Sequence, residues 1–205
     1  MPSPKFQVLI LTQQGREGFL EQLLPELDRQ IKGHAAEVLL SVHDPKLTLG
    51  DNRNRQLREA TAEYIAFVDD DDWVAPDYFH RIMPLLDSDT VGFRVQLYTA
   101  YKGYTKYCLI LRGLKYGPAT DPFHGGLSHL HPIRRELALQ AKFDAGQGED
   151  YRWGTKLWTL GIVKSENYID DVMYHYFWRA AKDDKSDPSN PMRLAIIGSL
   201  KSKVP

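Results

Sequence analysis

The stretch that decides the fold is residues 64–78, YIAFVDDDDWVAPDY. Residues 64–68 are apolar or aromatic, which predicts a buried strand of a parallel sheet. Four consecutive carboxylates, Asp69–Asp72, follow this strand directly. Ligands of parallel α/β sheets bind at the carboxyl ends of the strands, so this run predicts a binding site.

Strand and helix patterns alternate on the N-terminal side of this stretch. Phe6–Thr12 and Glu37–Val42 are short apolar runs that predict strands, and Arg16–Lys32 has the leucine spacing of an amphipathic helix. Asp51–Ala62 predicts a second helix. The alternation indicates an α/β fold with a mostly parallel central sheet.

The second half predicts a smaller antiparallel part and further helices. The expected elements are a helix at Asp77–Leu86, an antiparallel meander over Thr90–Tyr116, helices at Pro132–Ala141 and Glu149–Leu160, a strand at Ile169–Arg179 and a closing helix at Met192–Leu200.

Composition narrows the class of protein. The chain has 205 residues, 42% hydrophobic and 26% charged, which suits one globular domain. The formal net charge of −1 disfavours nucleic-acid binding by the chain as a whole. The single Cys108 excludes an internal disulfide. Apolar runs are far too short to span a bilayer, and residues 1–7 lack a signal-peptide core, so a cytoplasmic protein is expected.

The acidic run predicts a metal. Four adjacent like charges repel one another, and a divalent cation would relieve that repulsion. Mg²⁺ and Mn²⁺ prefer oxygen ligands, and Mg²⁺ usually binds one or two carboxylates together with substrate phosphates. The run therefore indicates a phosphate-bearing substrate held through a metal, against the simpler interpretation of a solvated loop.

Several motifs, in order, resemble glycosyltransferase family 2, whose fold is GT-A. FVDDDDWVAPDY (67–78) is similar to the family's D-x-D region, and residues 50–65 resemble its G-x-x-R-N…A-x-G-E-Y-I block, with Ala62 where glycine is common. Gly148-Glu149-Asp150 resembles the E-D motif, and residues 174–176 resemble a Y-x-Y element. Asp44-Pro45-Lys46 replaces the usual D-G-S.

The resemblance implies one GT-A domain over residues 1–205, with a nucleotide-sugar-binding half at about 1–90 and an acceptor half at about 91–205. The implied reaction moves a sugar from a nucleotide-sugar donor, expected to be a UDP-sugar, to an acceptor hydroxyl, with Mn²⁺ or Mg²⁺ as cofactor. The expected donor-binding residues are Thr12, Asp44, Arg53, Asp69, Asp70 and Asp72, and the expected metal ligands are Asp71, Asp69 and His175. Asp72 could instead contact the turn backbone, and His175 could contact the diphosphate or belong to the core. Arg53 could equally pair with the acidic run.

The resemblance also implies the catalytic residues. Asp150 is expected to act as the general base beside Glu149, and a single base implies inversion at the anomeric carbon. Both acids could instead complement the dipole of the helix that they precede. An acceptor surface is expected at His124, His129, His131, Trp153, Lys102 and Lys106. The histidines could equally belong to an ordinary polar loop, and burial in the core is the favoured alternative for Trp153.

Charge along the chain leaves the acceptor open. Residues 69–89 hold seven Asp and one Arg, a net of −6, whereas residues 90–120 hold five basic residues and no acid. The second segment also carries tyrosines, a pattern that can contact phosphates and stack on bases. The acceptor is therefore a saccharide, a lipid-linked or a small molecule, or a hydroxymethylated base in phage DNA. A nucleotidyltransferase and a non-catalytic GT-A domain are the remoter alternatives.

Overall fold

The computed structural model describes residues 4–99, 105–110, 123–178 and 187–203. The strands are β1 (Phe6–Thr12), β2 (Ala36–Val42), β3 (Tyr64–Phe67), β4 (Trp73–Val74), β5 (Thr90–Thr99), β6 (Thr105–Ile110), β7 (Phe123–Gly125), β8 (Ile133–Arg134) and β9 (Glu166–Trp178). The helices are α1 (Glu17–Gln30), α2 (Leu49–Glu59), α3 (Tyr78–Ile82), α4 (Arg135–Ala138), α5 (Glu149–Thr159) and α6 (Pro191–Lys201).

The described strands form one mixed sheet in the order β2-β1-β3-β8-β5-β6-β7, with β9 pairing with both β5 and β4. The pairs β2–β1, β1–β3, β5–β9 and β6–β7 are parallel, whereas β3–β8, β8–β5, β5–β6 and β4–β9 are antiparallel. This is the expected α/β architecture. The strands of the N-terminal half pair in parallel, and several strands after β3 pair antiparallel.

Apolar side chains alternate along β1 and build one core on each face of the sheet. Phe6, Val8 and Ile10 pack in a cluster with side chains of α1, α3 and α6. Leu9, on the opposite face, joins a second cluster with side chains of α2 and α5. The period-two pattern of a strand thus buries both faces, which explains why β1 reads as a continuous apolar run.

The prediction of a helix at 132–141 is wrong for most of these residues, because α4 covers only Arg135–Ala138. Ile133 pairs with Ile65 of β3 and with Thr90 of β5, so this segment bridges two strands before a single helical turn, α4. The sheet ladder here outweighs the local preference for a helix. The expected helix at 77–86 is likewise shorter, because α3 gives way to a 3₁₀ turn at Met83–Leu85.

Two local features place the ends of α2 and α5. Thr48 caps α2 by accepting a hydrogen bond from the Asp51 backbone N–H at 3.1 Å. Gly148 precedes α5 with φ of +72°, a left-handed conformation that favours glycine. Glu149 and Asp150 therefore occupy the first turn of α5. None of the helices in the described part of the chain has the length and apolarity that a bilayer-spanning helix needs.

Candidate active site

The carboxyl ends of three adjacent parallel strands form the base of the site. Thr12 ends β1 opposite Val42 of β2, and the backbone N–H of His43 donates to the Thr12 carbonyl at 2.7 Å. Asp44 follows β2, where the Asn52 side chain binds its backbone. Asp69 follows β3. The structure thus gathers Thr12, Asp44 and the acidic run at one edge of the sheet.

Asp69 belongs to a largely buried set of charges that we call the Arg53 network: Arg53, Asp69, His129, Glu149 and Asp150. The side chains of Arg53, His129 and Glu149 are buried, and those of Asp69 and Asp150 are partly exposed. Nη2 of Arg53 donates to Asp69 Oδ1 at 2.9 Å, and its Nη1 donates to Glu149 Oε1 at 2.6 Å. The guanidinium also lies over the Phe67 ring, 5.6 Å from its centroid. One arginine therefore connects the strand-end acid with the first turn of α5.

His129 completes the Arg53 network from the other side. Its Nε2 lies 3.4 Å from Asp69 Oδ2, and its Nδ1 lies 3.2 Å from Asp150 Oδ2. The imidazole therefore spans the two carboxylates, one after β3 and one on α5. Among the predicted acceptor residues whose side chains the structure describes (His129, His131 and Trp153), His129 contacts these carboxylates.

The charges of the Arg53 network shift one another's pKa values. Burial alone would raise the pKa of Asp69 and of Asp150, but the cationic neighbours Arg53 and His129 outweigh it and lower both. Burial and Arg53 would lower the pKa of His129, whereas the Asp69 and Asp150 carboxylates raise it above its ordinary value. Both carboxylates are consequently ionised at neutral pH.

Asp70 and Asp71 are held by different partners, which we call the Arg16 network: Thr12, Arg16, Asp70, Asp71 and Arg193. Nη2 of Arg16 lies 3.0 Å from Asp70 Oδ1 and 2.8 Å from Asp71 Oδ2. The Thr12 hydroxyl donates to Asp70 Oδ2 at 2.6 Å. Arg193 of α6 donates to the backbone carbonyl of Asp71. Protein cations thus relieve the repulsion that the sequence suggested a metal would relieve.

Asp72 is held by partners on β9, and its contact with the donor sugar stays a prediction. Its side chain is fully buried. Oδ2 accepts from the Tyr174 hydroxyl at 2.7 Å, and Oδ1 accepts from the Phe177 backbone N–H at 2.8 Å. Burial and the nearby Asp69 charge raise the pKa of Asp72. Asp72 therefore ties the acidic loop to β9.

His175 does not join the predicted metal ligands. Its Nδ1 hydrogen-bonds the Tyr98 hydroxyl at 3.0 Å, and its ring lines a cavity of about 720 Å³ between the sheet and α6. Burial and then Lys203 lower the pKa of His175 to about 4. Within the described ranges, no three His, Cys, Asp or Glu side chains are arranged to hold a metal ion.

The carboxylates nevertheless fit a cation completed by substrate oxygens. Oxygens of Asp70 and Asp71 converge on a single cationic nitrogen, Nη2 of Arg16, which marks a position where positive charge is stable. Two carboxylates plus phosphate oxygens is the usual donor set of Mg²⁺.

Other residues predicted for the acceptor surface lie elsewhere. Trp153 is fully buried, stacks on Phe143 with centroids 4.7 Å apart, and donates its indole N–H to the Ala141 carbonyl, so it belongs to the core. His131 is also fully buried, and its Nδ1 accepts from the Ser128 backbone N–H. The predictions for Lys102 and for the side chains of Lys106 and His124 fall outside what the structure describes.

Sequence reasoning missed three residues of the site. Neither Arg16 nor Arg193 was among the residues predicted for the site. Tyr174, noted within a Y-x-Y element, donates to Asp72 and accepts from the Asp69 backbone N–H. An arginine directly after the first strand, facing an acidic run after the third, is the signal that could have identified Arg16.

Comparison with known families agrees with this arrangement. The model of glycosyl transferase family 2 matches residues 26–136, which include α2, the acidic run and His129. The chain belongs to glycosyl transferase family 2. EpsH of Bacillus subtilis (strain 168), a protein described as a glycosyltransferase, is 37% identical over 49 residues. That match covers 24% of this chain and 14% of EpsH.

Solved structures share the fold. S. aureus TarS 1-349 in complex with UDP-GlcNAc superimposes with a TM-score of 0.63 at 16% identity, covering 96% of this chain and 66% of that one. The complex of the same protein with UDP gives a TM-score of 0.56 at 15% identity, covering 96% and 64%. The chain therefore spans less than two thirds of these relatives. The likeness establishes the GT-A fold, as the sequence predicted.

Proposed function

We propose that this protein is a glycosyltransferase that moves a sugar from a nucleotide-sugar donor to an acceptor hydroxyl. The observation that carries the proposal is the bridge through His129 between Asp69 at the donor edge and Asp150 at the start of α5. A donor diphosphate beside Asp69 would place its sugar next to Asp150, where a base is needed.

The donor half of the proposal rests on the strand-end residues. Thr12 and Asp44 would line the nucleotide, and Asp69, Asp70 and Asp71 would face the diphosphate and sugar. The buried Nε of Arg53 has no hydrogen-bond acceptor among the described residues, as expected when a ligand oxygen is still to bind. A divalent cation bound by Asp70 and Asp71 would neutralise charge on the departing diphosphate.

Asp150 is the proposed general base. Its side chain is 26% exposed, so an acceptor hydroxyl can reach it, and its lowered pKa keeps it ionised. His129 fixes the carboxylate from within. Arg53 holds the neighbouring Glu149, which gives that residue a supporting role. One carboxylate acting as base favours a single displacement with inversion at the anomeric carbon.

A panel of nucleotide sugars tests the proposal. UDP-GlcNAc is the first donor to try, because it is the ligand in the TarS complex that shares this fold. Melting temperature is measured with each donor, with and without MnCl₂. The proposal expects one donor to raise the melting temperature, and to raise it more with Mn²⁺. No shift with any donor, with or without metal, would argue against it.

Modified DNA as the acceptor stays a prediction of the sequence, and we propose a saccharide or small-molecule acceptor first. Arg94, one of the basic residues of the segment 90–120, is paired with Asp170 on β9 at 2.8 Å and is thereby neutralised. Replacing Lys102 and Lys106 by glutamate tests the DNA alternative, which requires salt-sensitive duplex binding that this double change abolishes.

A further inference from the structure

Arg16 takes the position of a cation between two carboxylates. Its Nη2 approaches one oxygen of Asp70 and one of Asp71 at 3.0 and 2.8 Å. In the proposed function, the diphosphate and its metal bind beside three carboxylates, Asp69, Asp70 and Asp71. Arg16 contacts two of them. Arg16 and a divalent cation therefore compete for the same negative charge.

Arg16 lies beside the Phe19 ring, its guanidinium carbon 5.3 Å from the ring centroid, and has donors without acceptors in the described part of the chain. It directly precedes α1, four residues after Thr12, and its side chain is 17% exposed, close to the 15% of Asp71. Among the described residues, neither its Nε nor its Nη2 finds an acceptor in hydrogen-bond geometry, although Nη2 lies at ion-pair distance. A guanidinium with donors to spare suits the paired oxygens of a diphosphate.

The acidic loop has other supports that stay in place if Arg16 turns away. The Thr12 hydroxyl holds the second oxygen of Asp70, and Arg193 holds the Asp71 backbone carbonyl. Arg193 is itself fixed by the ring of Phe177, whose centroid lies 4.6 Å from its guanidinium carbon. The loop can thus keep its shape while the Asp71 carboxylate changes partner.

We propose that Arg16 is an exchangeable counter-cation. Without donor it neutralises Asp70 and Asp71; when a nucleoside diphosphate binds, the guanidinium turns to the diphosphate and leaves Asp71 to the divalent cation. This inference rests on the proposed function. The exchange makes metal and diphosphate bind cooperatively. The diphosphate draws Arg16 away from Asp71, and the metal displaces Arg16 towards the diphosphate. Loss of Arg16 must then strengthen binding of the metal alone and weaken binding of the diphosphate.

Calorimetric titration tests both effects. MnCl₂ alone, and then UDP in the presence of MnCl₂, are titrated into the wild-type protein, Arg16→Gln and Arg16→Lys. For Arg16→Gln we expect Mn²⁺ alone to bind on the order of tenfold more tightly and UDP on the order of tenfold more weakly. Arg16→Lys keeps the charge but not the paired donors. It should leave Mn²⁺ binding near wild type and weaken UDP.

Arg81→Gln is the matched control. Arg81 pairs with Asp171 at 2.8 Å, outside both networks, so its loss should change neither affinity. Unchanged or weaker Mn²⁺ binding by folded Arg16→Gln would overturn the exchange. Should Arg16→Gln not fold, wild-type UDP affinity in Arg16→Lys would overturn it instead. In either case, UDP binding by the wild-type protein would still support the proposed function. If no donor in the panel binds, the proposed function itself is contradicted.

Discussion

The Arg53 and Arg16 networks neutralise the same acidic run in different ways. Arg53 is buried, with a side chain only 7% exposed, and it links carboxylates that are far apart in the chain, Asp69 and Glu149. Arg16 is more exposed and contacts two neighbours, Asp70 and Asp71. Burial fixes the first network as a scaffold for Asp150, and exposure leaves the second open to exchange with a ligand.

Removing the proposed base, Asp150, is expected to have the largest effect. Asp150→Asn keeps the shape of the side chain but cannot accept the acceptor's proton, so turnover should fall about 10²–10⁴-fold. Release of UDP from the donor identified by the panel measures it. Asp144→Asn is the control, because Asp144 is an exposed carboxylate near α5 that pairs with Lys156 and Arg152. Near-normal turnover by Asp150→Asn would remove the base from the account.

Breaking the scaffold should cost stability. Arg53→Met leaves Asp69 and Glu149 without their shared cation, and removal of one partner of a buried ion pair costs about 3–5 kcal/mol. Urea unfolding measures the loss. Arg55→Met, on the same helix but partly exposed, should cost about 1 kcal/mol or less. Equal losses in the two variants would mean that the Arg53 network is no more a scaffold than a surface pair.

Variants of Asp72 test whether this residue of the acidic run stabilises the fold or binds the donor. Asp72→Ala leaves the Tyr174 hydroxyl and the Phe177 N–H without their acceptor, at about 1–3 kcal/mol for each buried group. Asp72→Asn keeps one acceptor oxygen, which can accept from the Phe177 N–H, and should lose less stability than Asp72→Ala. Thermal unfolding compares them. A stable Asp72→Ala with impaired donor binding would return Asp72 to the donor site.

The docking of α5 can be disturbed without touching a charge. A Cβ on Gly154 would lie 1.7 Å from the Leu127 carbonyl oxygen, so Gly154→Ala must push α5 away from the segment that carries His129. We expect a loss of about 1–3 kcal/mol and reduced turnover. A Cβ on Gly198 of α6 meets nothing within 4 Å, so Gly198→Ala should gain up to about 1 kcal/mol. Undiminished turnover in Gly154→Ala would mean that catalysis does not depend on the close packing of α5.

Elements of the fold can be predicted from the sequence when the pattern that defines them lies within the element itself. The range expected for the first strand matches β1, because a run of seven mostly apolar residues buried on both faces has few alternatives. The strand β4 has only two residues, Trp73 and Val74, and is defined by its pairing with β9, about a hundred positions later. Local patterns carry no signal for such a pair. The same cause explains the wrong helix at 132–141.

The candidate site shows the same division. The acidic run and Asp150 could be identified from the sequence because each has a local motif. The cations around them could not be paired in advance, since Arg193 contacts Asp71 across 122 positions. For Trp153 and His131 the sequence left both a surface and a buried position open, because residue type indicates what a side chain can contact, whereas packing decides whether it is exposed; both are fully buried.

The anomeric configuration of the first product distinguishes inversion from retention and reports on the proposed role of Asp150. Proton NMR follows turnover of the donor selected by the panel, first with the wild-type protein and then with Asp150→Asn. With UDP-GlcNAc, whose sugar is α-linked, we expect the wild-type protein to transfer the sugar or hydrolyse the donor, and the β anomer to appear first. Asp150→Asn should leave the donor intact over the same period. Release of the α anomer, or equal turnover by both proteins, would contradict the claim that Asp150 is the base of an inverting glycosyltransferase.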